Sequence, residues 1–467
     1  MGRMSRLSSV TSSPAVAALV LLLAACESPP PAGGGEDAAH GGVDAAAASN
    51  DASTLPIDAA AVPADSGVSA DAGLASDASF ATAPDAQVQA DGSASAIDAA
   101  AVASADAAET VDAAGTPDAA EPPDAAAPTP GPDASLRPFA VEGFGRFTVG
   151  GWQPGFSTYE VTSFDDDGPG TLREGLRTND QPRVITFASD GTINLANSLL
   201  VPSNVSIDGR GHQVVVKNRG FILAGTDEVI LTNLAIEDVT STSEDGVRIG
   251  DPTLGPSERV VLDHLRFTAT GDLGDSAKTD EAISVIFGSR DITFAYLKFD
   301  NWEKAMLFGN GDASAAVDSE LRVTVHHTLA KVTGRRHPQA RYGIFDFYSC
   351  FFDDWRMYGW LWEKPYRESF GMQSQDGAHI LAESILFRRS SHTYDLGSQA
   401  NDATRCESGG VLEGKNLAVA PGGNAALRFG VGCATNPAPW TRPYPATVDA
   451  ADATLQSRLE AEAGNTL

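Results

Sequence analysis

Two arginines bracket the hexapeptide Arg336-His337-Pro338-Gln339-Ala340-Arg341, and Lys304 lies upstream in Asn301-Trp302-Glu303-Lys304-Ala305-Met306-Leu307. Further upstream are carboxylates at Asp245, in Ser243-Glu244-Asp245-Gly246, and at Asp280. Cations brought together hold carboxylates and other anions. Carboxylates brought together offer the hard oxygens that a divalent cation requires. Such a set suits work on an acidic substrate, provided that the fold carries residues this far apart in sequence to one face. Taken singly, each group has a plainer reading: arginines form ion pairs along a surface, and a Lys beside a strand is a solvated charge.

The element that could gather them is a repeated strand phrase. VILTNLAI starts at Val229, VVLDHLRF at Val260, ITFAYLKF at Ile292 and VTVHHTLA at Val323, so successive starts lie 31, 32 and 31 residues apart. Looser echoes follow at Ile344 and His379. Short β-branched runs with this period, separated by Gly, Asn, Asp and Ser turns and without helical periodicity between them, are the signature of a stacked β-solenoid. One rung cannot bury its inner face alone, so the stack makes the core. Lys304 falls one rung before Arg336, which places both cations on one side. Upstream, Thr171 to Arg177 reads as a short helix suited to capping the open end.

Composition sets the first 137 residues apart. Arg3 and Arg6 precede an apolar run from Ala15 to Ala25, which is of signal-peptide length and too short for a permanent span. It ends in Leu23-Ala24-Ala25-Cys26, which resembles the lipobox of bacterial lipoproteins, with Cys26 as the lipid-bearing residue after removal of residues 1–25. A plain secretory signal with a chance cysteine is the alternative. Residues 26–137 form an Ala, Asp, Pro, Gly and Ser tract with 19 acidic side chains from Glu27 onward and no Lys or Arg before Arg137. It has too little apolar mass to fold and reads as an acidic tether. The remaining domain, 138–467, stays acidic, with 43 acidic against 30 basic residues from Arg137 onward. That argues against nucleic acid as a partner. A polyanionic ligand would need a local basic cleft or a bound cation. Cys406 and Cys433 are candidates for a disulfide in an exported chain, and Cys350 reads as core. Nothing points to an oligomer, so a monomer touching the membrane only through its lipid is expected.

At this point the residues resemble a family. Gly143-Phe144-Gly145, Gly150-Gly151, VTSFDDDGPGTLREGLR, Ile207-Asp208-Gly209-Arg210-Gly211, Leu262-Asp263-His264, His326-His327 and Arg336 to Arg341 follow the order of extracellular pectate lyases. The likeness runs from about Phe139 to about Phe387. It implies an all-β, right-handed single-stranded parallel β-helix, and cleavage of pectate or a related uronate polymer by β-elimination. In such a reaction a base takes the C5 proton while cations or donors stabilise charge on the C6 carboxylate. The resemblance makes Arg336 the base, gives Arg341 and Lys304 the substrate carboxylate, and puts Asp263-His264 beside the cleft as an orienting pair. His326 and His327 read as stacked rung residues. Thr328 and Ser349 fall where the family often stacks Asn.

The resemblance also implies Ca2+ between protein and substrate carboxylates. Its ligand positions map onto Asp245 and Asp280, whereas Ser243 and Ser284 stand where acidic residues are expected. Glu244 and Glu281 are adjacent, but neighbours on a strand face opposite ways, so a site short of one charge is expected. No Arg occupies either serine position to replace the ion. Trp355, Tyr358, Trp360, Trp362 and Tyr366, interleaved with cations, form either a sugar-stacking wall, with Trp360 as its substrate-binding member, or a core patch. Two further readings stay open: a non-catalytic glycan-binding or adhesion solenoid, and a calcium-independent lyase on another uronate.

Overall fold

The computed structural model describes residues 134–177, 181–240, 244–270, 279–311, 314–355, 370–389, 401–434 and 440–465. Cys26, the leader, most of the tether, Ser243, and the aromatic segment from Arg356 through Trp360 to Arg367 lie outside the described residues.

The repeated phrases stack in register. Val229 pairs with Val260, Val260 with Ile292, and Ile292 with Val323, all in parallel. The echoes continue the column through Phe345, Ile380 and Leu412. Among the described residues the strands form one 17-stranded and one 8-stranded sheet. Each coil contributes to both, and the parallel crossovers make a right-handed β-helix. Inward positions are wholly buried; Phe267 stacks on its register partner Phe299 at 5.1 Å, while Phe308 of the smaller sheet meets Phe345 of the larger one across the interior at 5.2 Å.

The expected helix is present as Leu172–Leu176, with the Thr171 hydroxyl accepting from the Glu174 N–H. The two glycine motifs are not turns within the coil. They run along the outside of the larger sheet, where the N–H groups of Phe144, Gly145 and Gly151 donate to the hydroxyls of Thr324, Thr293 and Ser206. Gly151 has no room for a side chain, since a Cβ there would sit 1.9 Å from the Arg183 carbonyl. At the other end, the Ala453–Glu462 helix lays Leu455 and Leu459 over Leu329, Phe351 and Leu386. The sequence reading did not include this helix, although Asp452 marks its start by accepting from the N–H groups of Thr454 and Leu455. Cys406 and Cys433 form a disulfide and Cys350 is a buried thiol, as expected.

The coil corner after the phrase carries Asn233, His264, Tyr296, His327, Ser349, Ser384 and Asn416, all at positive φ. The ladder position is therefore His327 and not Thr328. Asn holds only its ends, and rings fill the middle: His264 stacks on Tyr296 at 4.7 Å, and Tyr296 on His327 at 4.9 Å. This corrects the reading of Asp263-His264 as a pair beside the cleft. Asp263 holds the His264 Nδ1 at 2.9 Å and accepts from Thr232. Both belong to a corner of the larger sheet, whereas the arginine hexapeptide belongs to the smaller one. Their role is to hold the stack.

Because each inner ring fills a slot shared with its neighbours, Phe267→Ala should cost about 3–5 kcal/mol. The denaturant midpoint is expected to fall accordingly, with little change for Val317→Ala, whose side chain is exposed. Equal effects of the two substitutions would contradict a core built by ring register.

Candidate active site

The residues expected to do chemistry converge on the 8-stranded sheet, whose neighbouring strands include Val247–Ile249, Glu281–Val285, Lys304–Phe308 and Gln339–Arg341. Glu281 pairs with Lys304, and Lys304 bridges to Arg335, so the acidic and basic groups occupy consecutive rungs at the start of their strands. Rung spacing in a parallel sheet is about 4.8 Å. That brings residues more than 90 positions apart, from Asp245 to Arg336, into one patch.

Every cation of the patch faces a carboxylate. The Lys304 ammonium pairs with Asp280, the Arg336 guanidinium with Glu281, and Arg341 Nε with Asp376 at 3.4 Å. Arg336 sits at φ 69°. The segment behind it is pinned by His337, which is fully buried. Its Nδ1–H donates to the Gly371 carbonyl at 3.1 Å, so its Nε2 accepts from the Thr333 hydroxyl. Burial pushes His337 down to about 4, so it stays neutral as a structural post between the two arginines. The sequence reading assigned it no role.

The carboxylates correct the expectation of a missing charge. Oxygens of Asp245, Asp280 and Glu281 lie within 4.8 Å of one another. Asp280 lies just before the Glu281–Val285 strand and Glu281 begins it, so strand alternation does not separate their side chains. Glu281 thus supplies the acidic group that Ser284 lacks. Ser284 instead hydrogen-bonds to the Asp245 carboxylate. Glu244 does not join the cluster; it pairs with Arg219 at 3.2 Å and accepts from Ser198 at 2.9 Å. Arg248, beside Ser284 in register, is held by Asp251 at 3.1 Å. A cleft of about 200 Å³ lined by Ser198, Phe221, Ile222, Glu244, Asp245 and Arg248 continues the patch toward the N-terminal rungs.

Burial raises the Asp245 carboxyl to about 7, with the nearby Asp280 charge adding to it, against the pull of the Ser284 hydrogen bond and of the Arg248 and Lys304 charges. Three hard oxygen donors, one of them reluctant to carry an uncompensated charge, fit a divalent cation. Trp355, the first of the aromatic series, is fully buried against Phe387 and belongs to the core. Trp360 lies outside the described residues. His326 and His327 contact each other at 2.9 Å and stack on Tyr348 and Tyr296, away from this sheet.

The Asp245 shift carries a sign. Its folded pKa, about 7, exceeds the ordinary 3.8, so the folded state binds that proton more tightly. The associated stability is present at acid pH and is lost as pH rises from about 4 through about 7. With chelator present, the wild-type melting temperature should fall across this window relative to Asp245→Asn, which is neutral throughout. Parallel pH profiles for the two proteins would contradict the buried-charge account.

The chain is similar in sequence and fold to known proteins. The pectate lyase family model matches residues 193–429. Pectate lyase 4 of Ambrosia artemisiifolia is 31% identical over 230 residues, 47% of this chain and 57% of that protein. The pectate lyase of Nicotiana tabacum is 31% identical over 236 residues, 46% of this chain and 56% of its own length. The chain thus spans little more than half the length of these curated relatives. Among solved structures, jun a 1, the major allergen from cedar pollen, superimposes with a TM-score of 0.56 at 24% identity, covering 70% of this chain and 93% of its own. The thermostable pectate lyase PL 47 does so with a TM-score of 0.54 at 18% identity, covering 70% and 97%. These two likenesses concern the fold alone. With the family model matching half of the sequence, including the rungs that carry Asp245, Lys304, Arg336 and Arg341, the chain belongs to the pectate lyase family.

Proposed function

We propose that the protein is a polysaccharide lyase that cleaves pectate or a related uronate polymer by β-elimination. The observation that carries this reading is the alignment of Lys304 and Arg336 with Asp245, Asp280 and Glu281 on consecutive rungs of one sheet of a pectate lyase fold. Asp245, Asp280 and Glu281 would hold Ca2+. When bound, that ion neutralises the carboxylates of protein and substrate and draws charge from the C6 carboxylate, which makes the C5 proton more acidic.

Arg336 takes the C5 proton, the C5 electron pair becomes the C4=C5 double bond as the C4–O4 bond breaks, and O4 leaves with a proton from solvent water. Arginine is ordinarily protonated, so its surroundings have to make room for the transfer. Glu281, which pairs with Arg336 and would supply one of the oxygens holding the ion, is the carboxylate that keeps the Arg336 proton in place. Lys304, which pairs with Asp280, and Arg341 hold the uronate carboxylate and fix the sugar over the base. His337 keeps the arginine segment rigid without carrying charge.

The disulfide between Cys406 and Cys433 supports export to an oxidising compartment. Leu23-Ala24-Ala25-Cys26 supports lipid attachment at Cys26, with residues 26–137 as a tether that lets a monomeric domain stand clear of an outer membrane or cell surface.

The test is the release of unsaturated product from polygalacturonate, followed by ultraviolet absorbance with added calcium and with chelator. Activity should need the ion and should fall by about a hundredfold or more in Arg336→Ala. Lys304→Met should act mainly through KM. Polymer binding without product in the wild type would favour the glycan-binding reading instead. Separately, Cys26→Ser should move the protein from the membrane to the soluble fraction, and identical fractionation would remove the anchor.

A further inference from the structure

Beyond Arg341 the same sheet continues onto rungs with different chemistry. Gln339 pairs in register with Gln373, Gln373 with Arg405, and Arg341 with Gln375. Gln339 Nε2 donates to Gln375 Oε1 at 2.9 Å, while Gln373 and Gln375 each donate through Nε2 to Glu407 Oε2 at 3.0 Å. Arg405 donates from Nε to Glu407 Oε1 at 2.5 Å and from Nη1 to Asp402 Oδ2 at 2.9 Å. Asp402 also pairs with Arg428. Two guanidinium groups thus answer two carboxylates, and three amides make up the rest.

This strip adjoins the proposed base. Arg336, Gln339, Phe370 and Gln373 line one narrow pit. A polymer laid over Asp245, Lys304 and Arg336 runs from rung to rung, so its next units on one side rest on the amides. The two parts of that path ask for different sugars. Lys304, Arg336 and Arg341 suit a free carboxylate. Over the amides a carboxylate would leave water without a cation of its own and would approach Glu407, which is costly. Hydroxyls and ester carbonyls, in contrast, match neutral amide donors and acceptors without that loss.

We infer that Gln339, Gln373 and Gln375 form a subsite for an uncharged sugar unit, with a methyl-esterified uronate as the class that fits. The favoured polymer is then a partly esterified pectin with a free carboxylate over Arg336 and an esterified unit over the amides. The free carboxylate over Arg336 rests on the proposed function, with its cation at Asp245, Asp280 and Glu281; the preference of the amides for an uncharged unit does not.

Two substitutions each add one unit of positive charge to the strip from opposite sides, Gln375→Lys directly and Glu407→Gln by releasing Arg405. The full chain and both variants would be run through gels containing polygalacturonate or partly esterified pectin, and product formation would be followed on the same polymers. The wild type should be retained more strongly by the esterified pectin. Each variant should shift the ratio toward polygalacturonate by roughly fivefold, the scale of one partly exposed charge pair. A wild-type preference for polygalacturonate, or a ratio unmoved in both variants, overturns the subsite. If retention follows the expected pattern but neither polymer yields product, the subsite stands and the lyase reading fails.

Discussion

The parallel register between successive coils is the constraint on which the rest of the structure depends. No rung has a second layer of its own, so its apolar residues are buried only by the rung above and the rung below. The column from Val229 through Val260 and Ile292 to Val323 shows this directly. Main-chain pairing sets the spacing, and side chains one period apart stack like on like. Ring columns such as Phe267 on Phe299 inside, and His264, Tyr296 and His327 at the corner, follow from that spacing. A shift of one residue in any coil would turn inward side chains outward and break the columns on both sides.

The same spacing sets each cation of the smaller sheet against a carboxylate. Lys304, Arg336 and Arg341 each face a carboxylate, from Asp280, Glu281 and Asp376. On an acidic domain this balance keeps buried and half-buried charges compensated when no ligand is bound. An acidic polymer laid there would compete with the protein's own carboxylates for the cations. A divalent cation at the acidic cluster would engage Asp280 and Glu281, the carboxylates that hold Lys304 and Arg336. Farther along the sheet the charges cancel among themselves, and amides take over the surface. One sheet therefore changes from charged to neutral character along its axis, rung by rung.

Much of this was legible in the sequence. The repeat length, the strand character of the phrases, the capping helix and the positions of Arg336, Arg341, Lys304, Asp245 and Asp280 can all be read from the chain, because a solenoid turns sequence period into spatial neighbourhood. Where the reading failed, a rule was used outside its range. Alternation along a strand excluded Glu281, but Glu281 is the first strand residue, and Asp280 lies in the turn before it. Asp263 and His264 resembled cleft residues by motif, yet they stand at a corner of the other sheet. The C-terminal helix escaped notice because its buried face is only Leu455 and Leu459, although Asp452 capped it in plain view.

The sequence by itself determined the period, and with it the fold class and the rungs on which Asp245, Lys304 and Arg336 stand, because stacking repeats of near-constant length have one way to bury their apolar faces. It also determined the acidic balance of the domain and the cysteines available for pairing. Only the tertiary structure decided which carboxylate faces which cation, that Glu281 and not Ser284 completes the acidic cluster, and that Gln339, Gln373 and Gln375 form one strip. Those outcomes depend on where each strand begins relative to its neighbours and on how each coil turns at its corners. Distances of a few ångströms across rungs decide them, and residues 24 or more positions apart in the chain carry no local signal of such distances.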